Sequence, residues 1–405
     1  MAVAGLRGTG DWGTGERPKN FRESILWRDP NGSAPLTALM AKMKKEVTDD
    51  PEFSWWEEEL NVVRLQIAGA LTTGDTTFVI DSGDAQDLVA GDVMLVEKAA
   101  ESATYDNELI VVSSVTNTTT FVVTRGQANT TPGTIADDTF LTRIGNVFAE
   151  GTGSPDSSTR NPTKYLNFTQ IFKTSYRITG TAENTHARTG DPVKNDKKRK
   201  MFDHSANMEF AFVFGRPYET TGSNGKPKRF TGGLMHYLSE AYSAGYTHCR
   251  RIFTTTPTED DILNAVYKVW DYNSNGAGNE RIVLAGNEAL NTLNKIARDS
   301  SSTRINFEGT VKVYGMELQK WVTPQGTLYI KTHPLFNTHG YYTRGMLVIN
   351  PAGMVYRPMK GRDTRMQDNI QANDADERKG QYFGECGVEF QHLNTMAYLG
   401  NVYKA

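Results

Sequence analysis

Short runs of β-branched and apolar residues alternate with polar turn residues between positions 62 and 145. The runs GDTTFVID, GDVMLVEK, NELIVVSSV and TTTFVVTRG are separated by Gly, Asp and Asn. This pattern predicts a small antiparallel β-module, either a barrel or a sandwich. The flanking runs LNVVRLQIAG at 60–69 and TFLTRIGNVF at 139–148 predict the strands that enter and leave it. Because paired entry and exit strands form a hairpin, we interpret residues 70–138 as an insertion in that hairpin.

The longest helix that the pattern predicts covers residues 192–214. Asp191 is a favourable N-cap, and Pro192 suits the first helical position. Gly215 suits the position after the last turn, and Pro217 follows where a helix cannot continue. The apolar residues are concentrated in the C-terminal half. They predict the packing face of this spine helix, which comprises Phe202, Met208, Phe210, Phe212 and Val213.

The N-terminal half of the same helix carries a dense run of basic residues: Lys194, Lys197, Lys198, Arg199 and Lys200. Positive charge is unfavourable at this end of the helix macrodipole, so the run has another cause. Two interpretations stay open. The residues contact an anionic partner, either DNA phosphates or an acidic neighbouring subunit, or they form a solvated face. A helix that reads DNA sequence is not expected, because no helix-turn-helix partner precedes it and the chain is net acidic.

The remaining segments predict an arm, a second folding unit and returning strands. Residues 1–59 are rich in Gly, Pro and charge. Residues 234–370 alternate between helical and strand patterns, and residues 371–405 predict further strands that return to the first body. The fold class is therefore α+β. An amphipathic segment and a tryptophan pair in the arm predict contacts with another surface through Leu36, Leu39, Met40, Trp55 and Trp56.

Composition and charge divide the chain further. Its 405 residues predict two or three folding units. The net charge is −3, but residues 62–150 hold four basic and twelve acidic side chains, a net of −8. This asymmetry predicts an acidic, solvent-facing module on a mildly basic body, with chance clustering of turn residues as the alternative. Two cysteines are too few for a disulfide framework. We expect neither a signal peptide nor a membrane-spanning segment, because no apolar run is long enough.

Catalytic, cofactor-binding and metal-binding motifs are not evident. The sequence has no GxSxG, HExxH or CxxC, and its seven histidines show no metal spacing. The stretch DSGDAQD at 81–87 offers three carboxylates. We interpret these residues as turn aspartates, because the EF-hand glycine and distal glutamate are missing. A calcium site is the alternative. We expect a protein that is not an enzyme and has no cofactor.

Four stretches resemble a known family. They are LWRDPNGSAPLTALMAKM at 26–43, NFTQIFKTSYRITGTAENT at 167–185, FAFVFGRP at 210–217 and RFTGGL at 229–234. In amino-acid sequence and in their order along the chain, they are similar to the major capsid protein of tailed bacteriophages with the Hong Kong 97-like fold. The series of parts agrees as well: an arm, a two-stranded loop, a long helix, an α+β unit and returning strands. The inserted β-module is larger than the minimal form of this family.

The resemblance implies a shell protein whose copies form pentamers and hexamers of an icosahedral capsid around double-stranded DNA. Assembly in the host bacterial cytoplasm is implied, with portal, scaffolding and decoration proteins as further partners and no membrane. The arm and the loop would lie across neighbouring subunits. The implied parts are an N-arm at 1–59, an E-loop at 60–150, a P-domain at 151–233, an A-domain at 234–370 and C-terminal P-domain strands at 371–405.

Two alternatives remain at this level. The same architecture serves encapsulin-like compartments, which enclose protein cargo instead of DNA. The β-module and the tryptophans are also compatible with a protein that binds a surface or a glycan.

Overall fold

The computed structural model describes residues 44–60, 62–98, 105–185, 189–272, 278–299, 307–313 and 316–404. Contacts divide the chain into two compact units: Trp56–Lys164 form one, and the residues before Trp56 and after Lys164 form the other. The predicted arm contacts Leu36, Leu39 and Met40 lie outside the described residues.

The strands of the described residues, in chain order, are β1 Lys44–Lys45, β2 Glu52–Glu57, β3 Arg64–Ile67, β4 Thr77–Ser82, β5 Asp92–Val96, β6 Leu109–Val115, β7 Thr120–Gln127, β8 Phe140–Asn146, β9 Thr163–Phe168, β10 Gln170–Thr179, β11 Tyr218–Thr221, β12 Pro227–Phe230, β13 Arg250–Ile252, β14 Glu280–Ala285, β15 Phe307–Val313, β16 Met316–Val322, β17 Thr327–Thr332, β18 Met346–Ile349, β19 Met354–Pro358, β20 Arg365–Gln367, β21 Glu377–Phe390 and β22 Ala397–Gly400.

The α-helices of the same residues are α1 Gly180–Asn184, α2 Pro192–Phe214, α3 Leu234–Ser243, α4 Glu259–Val266 and α5 Asn287–Asp299. None of these described helices is both long and apolar enough to cross a membrane. Helix α2 has the bounds that its capping residues predict.

A closed antiparallel barrel forms the core of the Trp56–Lys164 unit. Its strands follow the order β3-β4-β7-β6-β5-β8. Alternate residues of each strand point inward. Phe78 and Phe121 have no exposed surface, and their rings meet edge to face with centroids 5.7 Å apart. The small antiparallel β-module predicted from the sequence is therefore confirmed, and it is a barrel.

The barrel is larger than the predicted insertion at 70–138. Strands β3 and β8, which the sequence predicts as leads into and out of the module, belong to the barrel wall. Strand β3 pairs with β4 and β8, and β8 also pairs with β5. Without β3 and β8, strands β4 and β5 would keep open edges, so closure requires both.

A five-stranded sheet lies in the other unit. Its order is β1-β19-β21-β10, and β20 also pairs with β21. The longest ladder joins β10 and β21 in antiparallel register from Gln170 opposite Cys386 to Thr179 opposite Glu377. Helix α2 packs on this sheet through Phe212, whose ring centroid is 6.0 Å from that of Phe172.

A seven-stranded mixed sheet has the order β13-β22-β18-β14-β17-β16-β15. Strand β14 is parallel to β17 and antiparallel to β18. The predicted tail strands are divided between the two sheets, because β21 belongs to the five-stranded sheet and β22 pairs with β13 and β18.

One continuous apolar core joins helix α2 to both sheets. It contains Met208 and Phe212 of the helix, Val388 of the five-stranded sheet and Leu284 of the seven-stranded sheet. The two cysteines are buried and unpaired, so they serve as packing residues. The two sheets and the helix therefore form one folding unit, because their apolar faces share the same core.

We expect Phe121→Ala to destabilise the barrel by about 3–5 kcal/mol, because it removes a fully buried ring and leaves a cavity beside Phe78. Urea unfolding of the full chain would measure the change as a shift in the barrel's transition. Val79→Ala is the matched control, since Val79 is 41% exposed. Equal effects of the two substitutions would contradict the barrel core.

Candidate functional site

Helix α2 is capped at its start by the residue that the sequence predicts. Asp191 Oδ1 accepts hydrogen bonds from the backbone N–H groups of Val193 at 2.9 Å and Lys194 at 3.3 Å. Pro192 takes the first helical position, where its missing N–H costs nothing. The start of the helix is therefore determined by its local sequence.

Gly215 ends the helix for a different reason from the expected one. Its φ of −59° is not the left-handed conformation that often follows a helix. A Cβ at this position would lie 2.3 Å from the carbonyl oxygen of Thr231 and 2.4 Å from that of Ala211. Glycine is required here because two backbone segments approach each other closely.

The predicted packing residues divide into two groups. Met208, Phe212 and Val213 are buried, at 4%, 0% and 0% exposure. Phe202 and Phe210 are only half-buried, so these two members of the predicted packing face are less completely covered than the other three. At about 100° per residue, Phe210 lies about 40° from the buried Ala206 and about 60° from the buried Val213, so it stands at the edge of the buried side of the helix. Phe202 lies about three turns before Val213 on the same side, where the helix is less covered.

Two buried polar residues that the sequence analysis missed connect the helix to the seven-stranded sheet. Glu209 and His333 are both 0% exposed, and His333 Nε2 lies 2.8 Å from Glu209 Oε1. The His333 ring stacks on Phe336 with centroids 4.0 Å apart. A sequence signal did exist, because a glutamate within an apolar run of a buried helix requires a polar partner. The sequence does not identify that partner, which lies 124 positions away.

One lysine of the basic run forms an ion pair with the five-stranded sheet. Lys197 Nζ lies 2.7 Å from Asp368 Oδ2, and the hydroxyl of Tyr176 also donates to this carboxylate. Arg378 lies between Asp368, at 3.4 Å, and Glu183, at 2.8 Å. The hydrogen bonds from Lys197 and then from Tyr176 hold the pKa of Asp368 well below its usual range. The same contact with Asp368 raises the pKa of Lys197.

The other basic residues lie nearer solvent. Along the helix, acidic residues approach three of them: Lys194 with Asp191 at 3.9 Å, Arg199 with Asp196 at 3.6 Å and Lys200 with Asp203 at 3.0 Å. Lys198 is exposed. The positive charge of the run is therefore largely compensated within the chain, and exposed pairs of this kind contribute little to stability.

The adjacent tryptophans of strand β2 have opposite environments, because neighbouring strand residues face opposite sides. Trp55 is 6% exposed and stacks on Tyr165 with centroids 5.8 Å apart. Trp56 is 62% exposed, with Lys164 Nζ at 6.0 Å from its ring.

The carboxylates of the 81–87 stretch do not converge on one point. Asp84 accepts the backbone N–H of Gln86, and Asp87 pairs with Arg160. Asp81, the first carboxylate of the stretch, instead lies close to two carboxylates outside it, Asp137 and Asp138, with ligand atoms within 4.8 Å of one another. Asp137 already accepts the backbone N–H of Gly69 at 2.6 Å, which gives it a structural role in a turn.

Exposed apolar residues lie where the chain enters and leaves the barrel. The β3–β8 register pairs Arg64 with Thr142, and Arg143 N donates to Val63 O at 2.9 Å. This register places Val62 opposite Ile144. These two residues are 57% and 52% exposed. Leu60 and Val147, in the same two segments, are 93% and 54% exposed. We call this set, Leu60, Val62, Ile144 and Val147, the neck surface.

Comparison with known proteins defines the class of protein. The model of the SU10 major capsid protein family matches residues 7–403. A major capsid protein of Pseudomonas phage PaMx41 is 25% identical over 352 residues, which are 86% of this chain and 81% of that protein. A solved structure of Mycobacterium phage Cain aligns at TM-score 0.49 and 8% identity over 99% of both chains. The holo-SrpI encapsulin complex from Synechococcus elongatus PCC 7942 aligns at TM-score 0.41 and 13% identity over 62% of this chain and 80% of that chain.

The chain belongs to the SU10 major capsid protein family, because that family's model covers nearly its whole length. The prediction of a phage major capsid protein, a structural component of the virion, is therefore confirmed. The mixed class of helices and strands with a small β-barrel is confirmed as well. The family match favours a phage shell protein over an encapsulin. Binding of a glycan by the barrel stays a prediction.

We expect Asp368→Asn to lower the free energy of unfolding at pH 7, because it removes the carboxylate that pairs with Lys197. The folded pKa of Asp368 lies below the unfolded value of about 3.9, so its contribution is present above that pH and is lost as the pH falls through the folded pKa. The gap to wild type should therefore narrow below about pH 4.

Denaturation with urea at a series of pH values would measure this gap. Asp374→Asn is the control, because Asp374 is exposed and forms no ion pair within the described ranges. A gap that does not change with pH would contradict the role assigned to Asp368.

Proposed function

We propose that copies of this chain assemble into pentamers and hexamers of a closed icosahedral shell with the Hong Kong 97-like fold, and that the shell encloses double-stranded DNA. Family membership supports the shell, and the neck surface is the observation that carries the contact between copies. Assembly in the host cytoplasm and association with portal, scaffolding and decoration proteins belong to the same proposal.

The neck surface supports self-assembly through its chemistry. Val62 and Ile144 are cross-strand neighbours, and each leaves more than half of its surface in water. Burying apolar surface contributes about 25 cal/mol per Å², so a group of such residues favours association with a partner that covers it. In a shell of identical chains, the partner present in the highest amount is a second copy.

The folded units match the parts that the proposal needs. The barrel, with the chain segments that enter and leave it, serves as the E-loop at 60–150. Helix α2 and the five-stranded sheet serve as the P-domain, and the seven-stranded sheet serves as the A-domain. The shared core supports this assignment, because a shell wall requires that P-domain and A-domain resist separation.

The basic run on helix α2 has a limited role toward DNA in this proposal. Lys197 is engaged with Asp368, and its neighbours approach acids of the same helix. These contacts support non-specific screening of phosphates by the mildly basic body and give no support to base recognition.

Replacing Val62 and Ile144 by Gln together should raise the protein concentration needed for assembly at least about tenfold, because a loss of about 1.4 kcal/mol per contact has that effect. Sedimentation velocity of the purified full chain would measure the assembled fraction. Val79→Gln is the matched control, an exposed valine on barrel strand β4.

Wild-type chain that remains monomeric at every concentration would contradict the shell. If the double variant assembles at the same concentration as the wild type, the neck surface is not part of the contact between copies.

A further inference from the structure

The hairpin of β11 and β12 has no hydrophobic core of its own. Its register pairs Tyr218 with Phe230 and Thr221 with Pro227, and the two strands pair with no other described strand. Strand β12 lies near β10, but no residue from 216 to 230 is buried. A two-stranded hairpin is marginally stable in water, so a further partner surface would stabilise it.

The turn of this hairpin is nevertheless well defined. Gly222 N donates to Lys226 O at 2.8 Å, and Gly225 N donates to Gly222 O at 2.9 Å. Gly225 has a φ of +70°, the left-handed region that glycine adopts at low cost. The hairpin therefore presents its side chains in a fixed arrangement, which reduces the entropy lost on binding.

The charge of the hairpin indicates what the partner is. Residues 216–230 contain four basic side chains and one acidic side chain, a net of +3. Arg229 pairs with the acid, Glu219, at 2.5 Å. For Lys226 and Lys228, no carboxylate of the described residues lies within 4.0 Å. Two exposed ammonium groups on a fixed turn favour an anionic surface.

The edges of the hairpin disfavour strand addition. Pro227 has no N–H to donate, and lysine at an edge strand opposes pairing with another strand. A partner is therefore held through side chains and charge, and not by extending the two-stranded sheet.

We propose that the β11–β12 hairpin docks on the acidic barrel surface of a second copy of this chain. The barrel segment at 62–150 carries a net charge of −8, which complements the hairpin's +3. Because one chain carries both surfaces, the contact is heterologous, and repeated heterologous contacts form a ring when the rotation between copies closes. This inference rests on the proposed shell and assigns one of its contacts.

Zero-length coupling of amines to carboxylates tests the contact directly. Particles are assembled without DNA from equal amounts of unlabelled and nitrogen-15-labelled full chain, treated with a carbodiimide, and analysed by mass spectrometry. We expect links from Lys226 or Lys228 to barrel carboxylates in which the two peptides carry different labels.

Particles that form without such links overturn this inference and leave the shell intact. Links found only between peptides of the same label show an intrachain contact and overturn it as well. If the wild-type chain forms no particles, the shell proposal fails, and the docking partner fails with it.

A pair of variants gives an independent test. Lys226→Glu with Lys228→Glu should raise the concentration needed for assembly at least about tenfold, and the effect should shrink at high salt. Lys268→Glu with Lys360→Glu changes the charge equally at two exposed lysines of the same unit and should leave assembly near wild type. Thermal unfolding should be unchanged in both, because these side chains are exposed.

Normal assembly of the hairpin variant would contradict the docking. A variant that assembles normally but packages less DNA would show that phosphates, and not a second copy, are the partner.

Discussion

The buried hydrogen bond between Glu209 and His333 is the constraint on which the larger unit depends. Both side chains are without exposed surface, so neither can exchange its partner for water. Loss of this buried bond would cost about 1–3 kcal/mol. The bond fixes helix α2 against the seven-stranded sheet, while Phe212 packs on Phe172 of the five-stranded sheet. One helix thereby holds two sheets in a single core.

This arrangement separates internal stability from assembly. The residues that join helix α2 to the two sheets are buried in one shared core, and the basic run on helix α2 is largely compensated by acids of the same chain. The two surfaces proposed to contact other copies differ in their chemistry. The neck surface is apolar and gains from burial, while the β11–β12 hairpin is basic and gains from charge complementarity. A shell can therefore form without disturbing the core of its subunits.

The sequence predicted the features that are encoded locally. The bounds of helix α2 follow from Asp191, Pro192 and Gly215, and the barrel follows from its β-branched runs. Features that depend on distant partners were not predictable. Glu209 meets His333, and Lys197 meets Asp368 at 171 positions along the chain. Likewise, barrel closure by β3 and β8 depends on strand pairing that a local pattern does not specify. The predicted insertion at 70–138 is therefore shorter than the barrel.

Electron cryo-microscopy of particles assembled from the purified full chain tests the central claim most directly. The account predicts closed shells of pentamers and hexamers in which Val62 and Ile144 of each copy are covered by a neighbouring copy. Shells in which both residues remain in solvent, or preparations that contain only separate monomers, would contradict it.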